Sequence, residues 1–161
     1  MVYCKNIFDP NTREWYMFEA YREARYAYNK GECPIGAVIV RDGEIVARAH
    51  NCKEVRKNAL EHAEVIAIRK AASKLGDWRL SDCDMYVTLE PCTMCAGALV
   101  LSRIKNLYIG ARDPKAGAVI SVFNVLDEVK LNHHVNYCVG ILEEECSNIL
   151  KDFFRKLRKR Q

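Results

Sequence analysis

The chain has 161 residues and 18.5 kDa, half of them hydrophobic and 29% charged, with a net charge of +4. That length fits one domain over 1–161, with a core large enough to fold without help from metal or disulfides. Its balance of charge and hydrophobicity excludes a disordered chain, and apolar runs such as 35–40 and 116–123 fall far short of the roughly 18 residues of a membrane span. Lys5, Asp9, Arg13 and Glu14 interrupt the N-terminal stretch, so no signal peptide is expected and the expected location is the cytoplasm, away from membranes.

Residues 14–30 carry Met17, Tyr21, Ala24 and Tyr28 at helical spacing with Glu19, Arg22 and Glu23 between them, which predicts an amphipathic helix. Asn11 followed by Glu14 suits a capping box at its start. Two runs, 35–40 and 44–50, flank Asp42-Gly43, the sequence of a tight hairpin. A second helix starts near His62, with Val65, Ile68, Ala72 and Leu75 on one face and Gly76 as its C-terminal cap. A strand over 85–89 leads through Pro91 into a third helix over 92–101, apolar nearly all round and so expected to be deeply buried. Strands over 105–110 and 135–139 follow. The last helix, over about 142–160, carries the stripe Leu142, Cys146, Ile149, Phe153 and Leu157, with acidic residues in its first turn and basic ones in its last, as the helix dipole favours. Helices alternating with strands after a hairpin predict an α/β layer structure with a mixed five-stranded sheet.

Charge and cysteine are unevenly used. Residues 151–161 hold six basic residues against Asp152 alone, which reads either as a solvated helix end or as a footprint for a phosphate backbone. Of the eight cysteines, six (Cys4, Cys33, Cys52, Cys83, Cys138 and Cys146) have no regular spacing and read as small buried hydrophobes in a reducing compartment. Cys92 and Cys95 form a spaced pair at a helix start, where partial positive charge favours thiolates. Such a pair is half of a tetrahedral metal site or a redox couple, and only a third ligand separates the two readings.

His62, also at a helix start, supplies that ligand. Two thiolates and one imidazole neutralise Zn²⁺ and leave a fourth position for water, the catalytic pattern, unless Cys83 or His50 closes the site structurally. Glu64 is either a solvent-facing residue of a first turn or the base that such a water needs. Residues i and i+2 of a helix point about 200° apart, so His62 and Glu64 share a target only if His62 lies at the cap.

His62-Ala63-Glu64 with Pro91-Cys92-Thr93-Met94-Cys95 forms the H-x-E and P-C-x-x-C signature of zinc nucleobase deaminases. The wider chain resembles the bacterial tRNA-specific adenosine deaminases. The likeness runs through Pro34-Ile35-Gly36-Ala37-Val38, Ala49-His50-Asn51, Trp78-Arg79-Leu80, Leu89-Glu90-Pro91-Cys92, Gly110-Ala111-Arg112-Asp113 and Asp152-Phe153-Phe154-Arg155. It implies a cytidine deaminase-like three-layer fold with helices on both faces of the sheet. It also implies one Zn²⁺ per subunit on His62, Cys92 and Cys95, and Glu64 as catalytic acid and base. The implied reaction is hydrolysis of adenosine to inosine at the wobble position of a tRNA anticodon stem-loop, by a homodimer. Asn51, Asp113, Lys115, Phe154 and Arg155 match family positions that contact the substrate; core packing beside Phe153 is the competing reading of Phe154, and a strand-ending asparagine that of Asn51. Asn58-Ala59-Leu60-Glu61 departs from the family's usual small-residue lead-in to the histidine, so the 52–61 loop is expected to differ in shape. A free nucleobase or nucleoside deaminase and a non-catalytic zinc-binding RNA module are the alternative functions, and the second has no need of Glu64.

Overall fold

The computed structural model describes residues 11–159; Cys4, Lys5, Asp9 and Arg160 lie outside them. Helix α1 (Arg13–Asn29) is capped by Thr12, whose hydroxyl accepts from the Trp15 amide at 3.2 Å. Asn11, the expected cap, adopts a φ of 68°, outside the extended region a cap requires. Strands β1 (Gly36–Arg41) and β2 (Glu44–His50) form the expected hairpin. Asp42 and Gly43 both take positive φ, at 51° and 79°, the type I′ turn that matches strand twist. The Tyr16 hydroxyl of α1 donates to the Gly43 carbonyl at 2.7 Å and pins the turn.

The chain continues through a short helix α2 (Lys53–Arg56), then α3 (Ala63–Leu75), β3 (Cys83–Leu89), α4 (Thr93–Leu101), β4 (Asn106–Ala111), β5 (Asn136–Val139) and α5 (Glu143–Arg158). The five strands make one mixed sheet in the order β2-β1-β3-β4-β5. Strand β1 runs antiparallel to both neighbours, whereas β3, β4 and β5 are parallel. Alternate residues face opposite layers. Ala37, Ile39, Met85, Val87, Leu107 and Ile109 pack with Ile66, Ala67, Ala96 and Leu99 of α3 and α4. Val38, Val40, Tyr86 and Tyr108 pack on the other face with Met17 and Ala20 of α1 and Cys146 of α5. The helices therefore cover both faces of the sheet. Gly36 permits the close approach of α1, because a Cβ there would stand 2.0 Å from the Ala20 carbonyl oxygen.

Three helix faces differ from the periodic reading. The buried face of α3 is Ala63, Glu64, Ile66, Ala67 and Ala71, turned by about one position from the face through Val65, Ile68, Ala72 and Leu75. Small alanines bring the helix close to the sheet, and the larger apolar residues flank that contact. Helix α4 is not deeply buried on all sides: Cys95, Ala96, Leu99 and Val100 are buried, while Leu101 is 72% exposed. Of the α5 stripe only Cys146 is buried; Phe153 in the C-terminal half meets Tyr28 of α1 instead. The seven described cysteines are free thiols, and no described helix is long and apolar enough to cross a membrane.

The topology gathers one end of the sheet. Asn51 follows β2, the Glu90-Pro91-Cys92 turn follows β3 and the Arg112–Lys115 stretch (112–115) follows β4. These strands share a direction, so their C-terminal ends open onto one crevice, where ligands of open α/β sheets are bound.

Candidate metal and catalytic site

His62 and Cys92 are the N-terminal caps of α3 and α4, both with extended backbone (φ −79°, ψ 149° and φ −74°, ψ 176°). This cap geometry lets residues two apart share a target. His62 points back from the cap, and Glu64 reaches the same place from the first turn. Cys95, one turn along α4, places its sulfur beside that of Cys92.

The His62 Nδ1 atom lies 3.7 Å from the Cys92 sulfur and 3.6 Å from the Cys95 sulfur. Bonds of about 2.0 Å to nitrogen and 2.3 Å to sulfur at a tetrahedral centre separate those atoms by about 3.5 Å. The donor set and spacing fit a zinc ion. All three donor atoms lie within 4.8 Å of one another, and no fourth metal-ligating residue joins them among the described residues. Cys83 opens β3 among Arg41, Asp82 and Asp84, and His50 is held by Glu23 at 2.9 Å, so neither closes the site.

The charges suit a cation. The Cys95 thiol and His62 push the Cys92 sulfur down to about 3, opposed by burial. Cys95 is pushed up, first by that same contact with Cys92 and then by burial. The contact with Cys92 likewise raises His62. Burial raises Glu64 to about 7, and its Oε2 is buried with no hydrogen-bond partner. A buried acceptor without a partner is costly and calls for an explanation.

Around this centre the structure distributes the remaining candidates. Asn51 is buried, and its Nδ2 donates to Glu32 Oε2 at 3.3 Å. Glu32 is itself fully buried and also accepts from the Val55 amide at 2.7 Å. Asp113 Oδ1 accepts from the Lys115 and Ala116 amides at 3.0 and 3.3 Å, which shapes the turn after β4. The 52–61 loop contains α2, a left-handed Lys57, and a buried Glu61 that bridges Arg56 and Arg69.

A groove of about 610 Å³ runs from Cys33 and Leu89, past Arg112, Asp113 and Lys115, to Lys151, Phe154 and Arg158 on α5. The Cys33 thiol, raised to about 11 chiefly by burial, is affected by the charges of both Asp113 and Glu64, so the inner end of the groove lies toward Glu64. Phe154 is 42% exposed in this groove, whereas Phe153 packs edge-on against Tyr28 at 5.8 Å. Arg155 is bound to Asp152 and is not among the groove residues.

Sequence reading alone misses Glu32 and Glu90 as site residues, quotes Arg112 only within a stretch of family likeness, and takes in Lys151 and Arg158 only as part of the basic run 151–161. Glu90, directly before the Pro-Cys turn, is 3% exposed. Burial works against its charged form, but hydrogen bonds from Ser121, Ile120 and Asp113 outweigh it and hold the carboxyl down to about 2. A glutamate between Leu89 and Pro91 is the one visible signal, because a charge in so apolar a stretch needs buried partners.

Comparison with known proteins places this geometry in a family. The family model of MafB19-like deaminases matches residues 11–158. A tRNA-specific adenosine deaminase of Bacillus subtilis is 51% identical over 148 residues, 92% of each chain. One of Aquifex aeolicus is 50% identical over 146 residues, covering 91% of this chain and 96% of its own. A solved structure from a study of A-to-I editing by tRNA:A34 deaminases superposes with a TM-score of 0.83 at 44% identity, covering 86% of this chain and all of the other. A guanine deaminase of Nitrosomonas europaea has the same fold, with a TM-score of 0.78 over 88% of this chain and 84% of its own, at 21% identity. With this fold, this triad of donors and relatives at half identity over nearly the whole length, the chain belongs to the tRNA-specific adenosine deaminase family of enzymes.

Proposed function

We propose that the protein hydrolyses adenosine at the wobble position of a tRNA anticodon to inosine, releasing ammonia, with one zinc ion per subunit. The observation that carries this reading is the unpartnered Oε2 of buried Glu64 beside a three-donor set. His62 Nδ1 and the sulfurs of Cys92 and Cys95 would hold the ion, which supplies Lewis acidity toward water. Glu64 does the proton work: its carboxylate takes one proton from the water that adds at C6 and gives it to N1, then takes the second from the resulting C6 hydroxyl and gives it to the amine as the C–N bond breaks and ammonia leaves. Burial raises its carboxyl above the ordinary range, which favours the protonated form that gives its proton back. A non-catalytic zinc module has no use for such a group.

Substrate size supports RNA over a free base. The groove extends well beyond the reacting centre and is lined by Arg112, Lys115, Lys151 and Arg158 with Phe154 among them, a combination of cations and a stacking surface that suits a single-stranded backbone. Anticodon-loop bases are already unpaired, so turning one into a pocket is cheap. Asn51 would hydrogen-bond the flipped nucleotide, and Asp113 and Arg155 would act from the groove wall and its outer rim. The exposed apolar side of α4 around Leu101, with Phe123 54% exposed, would meet a second copy in a homodimer. The free thiols suit a reducing cytoplasm.

The test is to incubate the protein with an anticodon stem-loop carrying adenosine at the wobble position and, separately, with adenine, guanine and cytosine. Inosine in the RNA is the expected outcome; deamination confined to the free bases overturns the proposal.

A further inference from the structure

The turn after β3 and the loop after β4 are joined by an unusual number of bonds, most of them to a single side chain. Glu90 Oε1 accepts from the amides of Val119, Ile120 and Ser121 at 3.1, 2.7 and 2.9 Å. Its Oε2 accepts from the Asp113 amide at 3.0 Å and from the Ser121 hydroxyl. The main chain adds two links: the Glu90 amide donates to the Ala111 carbonyl at 2.8 Å and the Ala118 amide to the Pro91 carbonyl, also at 2.8 Å. Gly117 lies against the same carboxylate, since a Cβ there would stand 2.4 Å from Oε2.

A fold needs no five-donor carboxylate merely to close a surface loop; two or three turn bonds are enough. The two segments that Glu90 joins are functionally unlike. One carries Cys92, two residues on, and the other carries Arg112, Asp113 and Lys115 on the groove wall. We infer that Glu90 is a positioning residue that sets the groove wall in register with the catalytic centre. RNA gripped in the groove then delivers its base to Glu64 at the right depth. Glu90 is too deeply buried to touch substrate. The inference rests on the proposal that the groove takes the anticodon loop.

Register of this kind matters because binding groups must be held to within about 0.5 Å of their productive geometry, so a loosened groove wall grips the RNA less tightly. A glutamine at position 90 would keep one acceptor oxygen and turn an N–H₂ toward backbone donors, so either Asp113 or the 119–121 run would lose its acceptor. The groove wall would loosen, while His62 and Cys95, fixed by α3 and α4, would stay in place.

The experiment compares wild type with Glu90→Gln on the anticodon stem-loop, measuring KM, kcat and zinc per chain. The expected result is a KM raised about tenfold, kcat within about threefold of wild type, and wild-type zinc content. An unchanged KM, or a loss of kcat that follows loss of zinc, overturns the inference. Gly117→Ala disturbs the same junction from the loop side and decides the matter if Glu90→Gln fails to fold. It should also raise KM at full zinc content, and an unchanged KM there overturns the inference. Wild type that makes no inosine in the stem-loop would instead bring down the underlying proposal, and the inference with it.

Discussion

His62 Nδ1 and the Cys92 sulfur, thirty residues apart in the chain, meet at 3.7 Å because each residue caps a helix and the two caps face each other across the end of the sheet. Two helix N-termini thus direct partial positive charge at sulfurs that must ionise, and the imidazole completes the donor set. Removing one member leaves two donors, too few for tight binding.

Cys92→Ala should therefore lose both bound zinc and deaminase activity. A chelator should have the same effect on wild type, reversed by added Zn²⁺. Metal analysis of the purified variant checks the first point and activity after reconstitution the second. A Cys92→Ala protein that retains stoichiometric zinc would refute the assigned ligand set.

Glu64 lies beside Cys95 but is not one of the three donors, so Glu64→Gln should leave zinc content intact. The amide cannot accept and return a proton, and proton transfer of this kind contributes about 10²–10⁴ in rate. We expect kcat to fall at least a hundredfold, with stem-loop affinity within a few-fold of wild type. Because the side chain is buried with an unpartnered Oε2, the variant should be no less stable than wild type in thermal melts. Measurable turnover near the wild-type rate would remove Glu64 from the reaction.

The grouping of His62, Cys92 and Cys95 was legible in sequence because its members are tied to helix starts, and helix starts have local signals: the H-x-E and P-C-x-x-C spacings place them at or near caps, while their proposed roles come from the resemblance. The hairpin was legible for the same reason, through Asp42-Gly43. Glu32 and Glu90 were not, because their partners are mostly backbone amides, 23 residues away for Val55 and 29 to 31 for Val119, Ile120 and Ser121, and backbone donors leave no residue pattern. The face of α3 was misjudged because large apolar side chains outweigh alanine in any periodic count, whereas closeness to the sheet favours alanine. Phe153 and Phe154 have identical local signals, and only the position of Tyr28 on α1 decides which of them packs.

Phe154 is available to stack on a base. Phe154→Ala should raise KM for the stem-loop by about tenfold, since base–aromatic stacking is worth roughly 1–3 kcal/mol. Phe154→Leu should recover little of this, because it restores apolar area without a ring face. At 42% exposure neither change should shift the melting temperature by more than about 2 °C. Phe153→Ala should behave in the opposite way, lowering stability with a smaller effect on KM. Equal effects of the two substitutions on KM would remove Phe154 from the binding surface.

Asp152 anchors α5 to α1 and gives the fold a pH-dependent contact. Its carboxylate accepts from the Tyr28 hydroxyl and pairs with Lys156 at 3.0 Å and with Arg155. These bonds, that from Tyr28 foremost, hold its carboxyl below the ordinary value of 3.8. A carboxyl depressed by folding stabilises the folded state at pH above its unfolded value, and the contribution is lost as pH falls toward the folded one. Asp152→Asn should thus melt about 2 °C below wild type at pH 7, a modest drop because the group is partly exposed and screened. The gap should be the same at pH 5.5 and should narrow once the pH drops below about 4. Thermal melts of both proteins at pH 7, 5.5 and 3.5 check this, and a gap that widens toward acid would show that the α1–α5 contact does not depend on the Asp152 charge.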